Sequence, residues 1–119
     1  VEQHTTSSVV LPDPSIRISN CGVEEANGDY SIIPEQYWDQ YVDPTYLQNH
    51  TVVQLWTNGT GVLETNGAEP YIYPVGSDPS KVDPWYAGVV STDPNDPLTV
   101  SVWITLDNGI APVPTLEAI

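Results

Sequence analysis

The stretch Leu98-Thr99-Val100-Ser101-Val102-Trp103-Ile104-Thr105-Leu106 decides the fold class. Large aliphatic residues recur at every second position, and the residues between them are hydroxylated, apart from Trp103. A period of two held over nine positions belongs to a strand with one face in a core. Val, Ile, Thr and Trp also suit a pleated, half-buried surface. Asp107-Asn108-Gly109 then ends the run with residues that tolerate a left-handed backbone. On this pattern the strand is central to the domain, its aliphatic side faces inward, and Trp103 points away from the main core. Trp103 is then free to cover a second layer, meet a neighbouring subunit or stack on a sugar ring.

Outward from this strand the chain repeats the same grammar. Short alternating or aromatic runs at 15–19, 30–33, 51–56, 61–64, 71–73 and 85–90 are separated by turn residues every eight to twelve positions. Four Asn-Gly steps, at 27–28, 58–59, 66–67 and 108–109, favour hairpins over crossovers. The segment 34–42 reads either as a helical turn, with Pro34 at a first helical position, or as an aromatic strand with a loop. Asp43-Pro44 ends it in both cases. Ala111-Pro112-Val113-Pro114-Thr115 closes the chain in extended form, because paired prolines cannot sit inside a ladder. The expectation is an all-β, antiparallel β-sandwich or small barrel of seven to eight short strands. An N-terminal arm at 1–14 precedes a single β-domain at 15–119.

The chain has 119 residues, enough for one domain with its own core. Val1 is small enough to follow a removed initiator Met, so a nearly complete small protein is expected over a fragment, with a secreted or excised piece as the alternative. Sixteen acidic residues face only Arg17 and Lys81, a net charge of −14. Such a surface repels phosphate backbones and anionic lipid, which argues against nucleic acid and membrane as partners. A cationic partner or divalent ions suit it better. Cys21 is the only cysteine, so it forms no internal disulfide, and it reads as a small buried hydrophobe beside Gly22.

Six of the nine Asp residues stand directly before proline, a placement that belongs to turn chemistry. Asp93, Asn95 and Asp96 form the densest group of hard oxygen ligands and are the calcium candidates; otherwise no cofactor is expected. Glu24, Glu25 and Glu64 carry the carboxylates that a glycoside-hydrolysing pair would need, but no spacing singles them out. No nucleophile elbow, zinc-binding HExxH, P-loop or dinucleotide fingerprint is present, and the reading is not an enzyme. Asn49-His50-Thr51 and Asn58-Gly59-Thr60 match glycosylation acceptors.

The aromatic set is four Trp and seven Tyr with no Phe, residues with an apolar body and a polar handle. Such side chains are enriched at interfaces. Trp103, Trp85, Tyr86, Tyr71 and Tyr73 are therefore the candidate interface or ligand residues, with Val9, Val10 and Leu11 of the arm expected to dock on a neighbouring chain.

Asn27-Gly28-Asp29-Tyr30, Tyr71-Ile72-Tyr73, Trp85-Tyr86, and Trp103 with Gly109 and Pro112-Val113-Pro114 occur in that order. The order resembles small β-rich modules of bacteriophage virion proteins, including capsid decorations and head or tail fibres, and of some microbial surface proteins. It covers residues 15–117. The Asp of Asn-Gly-Asp-Tyr and the insertion at 34–50 depart from that pattern, and no site is transferred. The resemblance implies a structural protein at the virion surface, a capsid decoration, cement or fibre component, docked on capsid or fibre subunits and homo-oligomeric. The alternative is an extracellular carbohydrate-binding module whose partner is a glycan.

Overall fold

A computed structural model describes residues 9–119. Eight strands form one antiparallel sheet: β1 Ile16–Ser19, β2 Gly28–Ile32, β3 Gln54–Thr57, β4 Gly61–Thr65, β5 Tyr71–Pro74, β6 Tyr86–Ser91, β7 Val100–Thr105 and β8 Thr115–Ala118. Seven consecutive strands pair with their chain neighbours, and β8 returns to pair with the far side of β1, in the order β7-β6-β5-β4-β3-β2-β1-β8. The sheet is a meander curled into a half-barrel, which makes the all-β antiparallel expectation correct.

Side-chain alternation divides the apolar residues between two faces. Ile16, Ile18, Tyr30, Trp56, Leu63, Ile72, Tyr86 and Trp103 fill the inside of the curl. Leu55, Val62, Tyr73 and Ile33 point outward into a second cluster with Val42 and Tyr46. The outward cluster exists because residues 34–50 lie over it. Glu35–Gln40 is a 3-10 helix and Pro44–Asn49 is the short helix α1. The sequence reading left the first of these open and missed the second. Asp43-Pro44 does not merely end a segment: the Asp43 carboxylate accepts from the Thr45 N–H at 2.8 Å, and Pro44 occupies the first helical turn. Asp before Pro is a helix-start signal as well as a turn signal.

The curl is closed by a latch. Leu106 N–H donates to the Trp85 carbonyl and Gly22 N–H to the Pro112 carbonyl. Between them Tyr86, fully buried, accepts from Val23 N–H at 3.0 Å and donates to the Ile110 carbonyl at 2.5 Å. Gly22 and Gly109 lie so close to the backbone carbonyls of Ile110, Ala111 and Trp85 that neither site has room for a Cβ. One phenol thus ties the loop before β8 to the β1–β2 connection. Tyr86→Phe is expected to lower unfolding free energy by about 1–3 kcal/mol, because it leaves the buried Val23 N–H and the part-buried Ile110 carbonyl without their partner. Urea denaturation with an unchanged m-value checks it.

Two expectations about 98–106 are corrected. β7 is an edge strand, not the centre. Its faces are also reversed: Trp103 is buried in the inner cluster, while Val102 and Ile104 are exposed. Trp103 pairs with Gly88 of β6, where a Cβ would meet the Val100 methyls at 2.9 and 3.0 Å and the indole edge at 3.4 Å, so the absent side chain lets both pack against the strand. At the end of a curled sheet the inner face has space for one large ring, and a Trp buries more apolar area than any aliphatic. β8 was also not foreseen. Pro112 and Pro114 do lie outside the ladder, and pairing with β1 starts at the next residue, Thr115↔Ser19.

Candidate docking face

The outer side of the sheet is covered unevenly. Residues 34–50 cover β3, β4 and part of β5 but stop short of β6 and β7. On those strands the register pairs Ala87 with Ile104 and Val90 with Val102. Paired residues share a face, so Val90, Val102 and Ile104 point outward together, 50%, 44% and 40% exposed. Tyr71, opposite Ala87, continues the row back to the outer cluster. A β-bulge between Gly88 and Val90 places Val89 and Val90, both exposed, at the rim. The result is an aliphatic stripe running from the second cluster to a free sheet edge.

The structure disperses the sequence-derived aromatic candidates. Trp85, Tyr86 and Trp103 belong to the inner core and Tyr73 to the outer one, all buried. Only Tyr71 keeps a partly exposed ring, its hydroxyl 3.3 Å from a Glu69 carboxylate oxygen. Leu11 packs on the outer cluster, Val9 is half-buried and Val10 is exposed. The remainder of the expected docking arm, 1–8, lies outside the described residues. The sequence pattern pointed to the rings and missed the aliphatics beside them, because alternation fixes which residues share a face but not which face is inside.

The calcium candidates are each committed to a turn. Asp93 accepts from Asn95 N–H, Asn95 from Gly67 N–H, and Asp96 from Leu98 N–H at the start of the 3-10 turn Pro97–Thr99. Among the described residues, no three His, Cys, Asp or Glu side chains are grouped to hold a metal ion. Asn58 is likewise engaged: its amide donates to the Glu25 and Asn27 carbonyls. Asn49, by contrast, is exposed at the end of α1. Burial pushes the Cys21 thiol up to about 12, so the nucleophilic thiolate is scarce at neutral pH.

One carboxylate is unusual. Glu64 is fully buried on the outer side of β4. Its Oε2 accepts from the Tyr46 hydroxyl at 2.8 Å and the Asn66 amide at 2.9 Å, and its Oε1 from the Tyr73 hydroxyl at 2.7 Å. Burial raises its pKa above the ordinary carboxylate range, outweighing the three donors that favour the ionised form. The same burial, reinforced by Glu64, raises both phenols, so each remains a donor at neutral pH. Tyr46 stacks on His50, ring centroids 4.5 Å apart. Glu24 and Glu25 do not join Glu64. They are exposed on the 3-10 turn Glu24–Ala26, whose Ala26 packs into the inner cluster. With no exposed oxygen, Glu64 serves to fasten α1 to the sheet.

Comparison of the chain with protein-family models, with curated proteins and with solved structures finds no match.

Proposed function

We propose that this protein is a non-enzymatic docking module, a structural component of a larger particle of the capsid-decoration or fibre kind, displayed on the virion surface. The observation that carries the reading is the aliphatic stripe of Val90, Val102 and Ile104 beside an open strand. A contiguous apolar row on so acidic a chain favours burial against another protein. Contact through this stripe replaces the aromatic anchors expected from the sequence, of which all but Tyr71 are already used inside the fold.

The sixteen acidic residues contribute in a second way: a surface of one sign keeps copies dispersed until a complementary partner is met. The carbohydrate-binding alternative needs flat exposed rings; it loses Trp85, Trp103, Tyr73 and Tyr86 to the core and keeps the half-exposed Tyr37, Trp38, Tyr41 and Tyr71.

Mass spectrometry of purified particles from the source is the test. The expected result is this chain at a fixed ratio to the major particle protein, retained through density-gradient banding. Its confinement to the free protein fraction, with saturable binding on a glycan array, would replace this reading with the carbohydrate module.

A further inference from the structure

We propose that the free side of β7 receives an extended segment of another protein, added as a further strand, in which aliphatic residues alternate with lysine or arginine. The inference rests on the docking reading above and specifies the partner's chemistry.

The backbone comes first. Gly88 N–H donates to the Pro70 carbonyl at 2.9 Å, so the Gly88 backbone faces β5 and that of its neighbour Ala87 faces β7. Hydrogen-bonded and non-bonded pairs alternate along an antiparallel ladder. The register Tyr86↔Thr105, Ala87↔Ile104, Gly88↔Trp103 therefore turns the Ile104 backbone toward β6 and those of Thr105 and Trp103 away from it. No strand among the described residues pairs with that side.

Exposed edges are ordinarily blunted by a charge, a proline or very short length. Val100-Ser101-Val102-Trp103-Ile104-Thr105 has six residues and neither a charge nor a proline. The other free edge, β8, has four residues, directly follows Pro114, and carries Glu117. Nor does β8 have an aliphatic outer row, for its Leu116 packs inward. β7 is thus the edge suited to strand addition, with main-chain hydrogen bonds supplying attraction and alternate side chains supplying selectivity. On the outer face, Val102 and Ile104 would pack against every second residue of the incoming strand.

Charge decides the occupant. Asp93 and Asp96 precede β7, Asp107 follows it, and Asp83 lies beside that end, its carbonyl bound by Asn108. Of the two cations, Arg17 is paired with Asp29 at 2.8 Å on β1 and Lys81 lies in the loop between β5 and β6. A second copy would bring another charge of −14 to an edge already bracketed by carboxylates. At contact such charges lie within the screening length of about 8 Å at physiological ionic strength, so the repulsion persists. A strand carrying Lys or Arg between its aliphatics meets these carboxylates instead.

The test measures fluorescence anisotropy of a labelled Lys-Val-Lys-Val-Lys-Val peptide with the full chain, beside Glu-Val and Lys-Ser peptides of the same length. Two variants accompany it. Val102→Thr with Ile104→Thr removes the aliphatic row at exposed positions, and Thr105→Pro removes an outward N–H that β6 does not use. Saturable binding of the Lys-Val peptide is expected, weakened about tenfold by the threonine pair through loss of apolar contact. Thr105→Pro should weaken it too, with far-UV spectra unchanged. Equal binding of the Lys-Ser peptide, undiminished affinity in the threonine pair, or no binding at all would overturn the proposal. So would a dimer of the chain alone, abolished by the threonine pair, since the occupant would then be a second copy. The docking reading survives these failures if the chain is still found in purified particles, and falls separately if it is not.

Discussion

Trp103→Ala is expected to destabilise the fold by about 3–5 kcal/mol, the range for truncating a large buried aromatic side chain. The indole sits in the inner cluster across from Gly88, at the point where the curl meets its edge. Its partner on β6, Gly88, has no side chain to fill the vacated volume, and the Val100 methyls already sit over that glycine. For a chain of this size such a loss lowers the melting midpoint by on the order of 10 to 20 °C. Calorimetry with matched chemical denaturation checks it. A fall of only a few degrees would return Trp103 to the surface role that its polar-face position implies from sequence. Val102→Thr is the control from the same strand: its side chain is exposed, and the change should stay within about 0.5 kcal/mol. The contrast between two residues adjacent in sequence measures directly which face of β7 is inside.

That contrast also marks how far the sequence could be read. Period two at 98–106 identified a strand, and Asn-Gly with neighbouring hydroxyl and Pro residues identified the turns, so the antiparallel all-β class was legible. Facing was not. Both sides of β7 carry apolar residues, and the choice depends on whether the concave side of a curled sheet offers room for one indole or for several aliphatics. That room depends on another strand, where Gly88 leaves space shared by the Val100 methyls and the indole edge. The covering segment 34–50 was half legible: Asp43-Pro44 held a helix-start signal that its turn chemistry concealed. β8 was hidden because four residues are too few to establish a period. At the candidate site, Val102 and Ile104 were visible as residues but assigned to the core. Glu64 gave no local sign, since its partners Tyr46 and Tyr73 arrive from other elements, eighteen and nine residues away.

Glu64 should give the largest polar effect in the protein. Glu64→Ala leaves the Tyr46 and Tyr73 hydroxyls and the Asn66 amide without their acceptor and opens a cavity beneath α1. The expected loss is about 3–5 kcal/mol, combining unmet buried donors with lost packing. Glu64→Gln keeps the shape: its amide oxygen can accept from Tyr46 and Asn66, while its NH2 donates to a reoriented Tyr73 hydroxyl. It should therefore fold with most of the native stability, and it isolates the charge. Because the folded-state pKa of Glu64 is raised, the native chain holds this proton over a pH range in which the unfolded chain has released it. In that window, from the unfolded value of about 4.3 up to the raised folded value, ionisation of Glu64 makes stability fall as pH rises. Asp78 acts in the opposite sense: the Ser80 hydroxyl holds its carboxyl low, so its contribution is present above its unfolded value and lost in acid. His50 also faces the cluster through Tyr46. The difference between wild type and Glu64→Gln cancels contributions common to both chains to first order. Measured by denaturant titration from mildly acidic to neutral pH, that difference should move against the wild type as pH rises and then level off. A difference that moves the other way would mean that the three donors outweigh burial and that Glu64 favours folding as an anion.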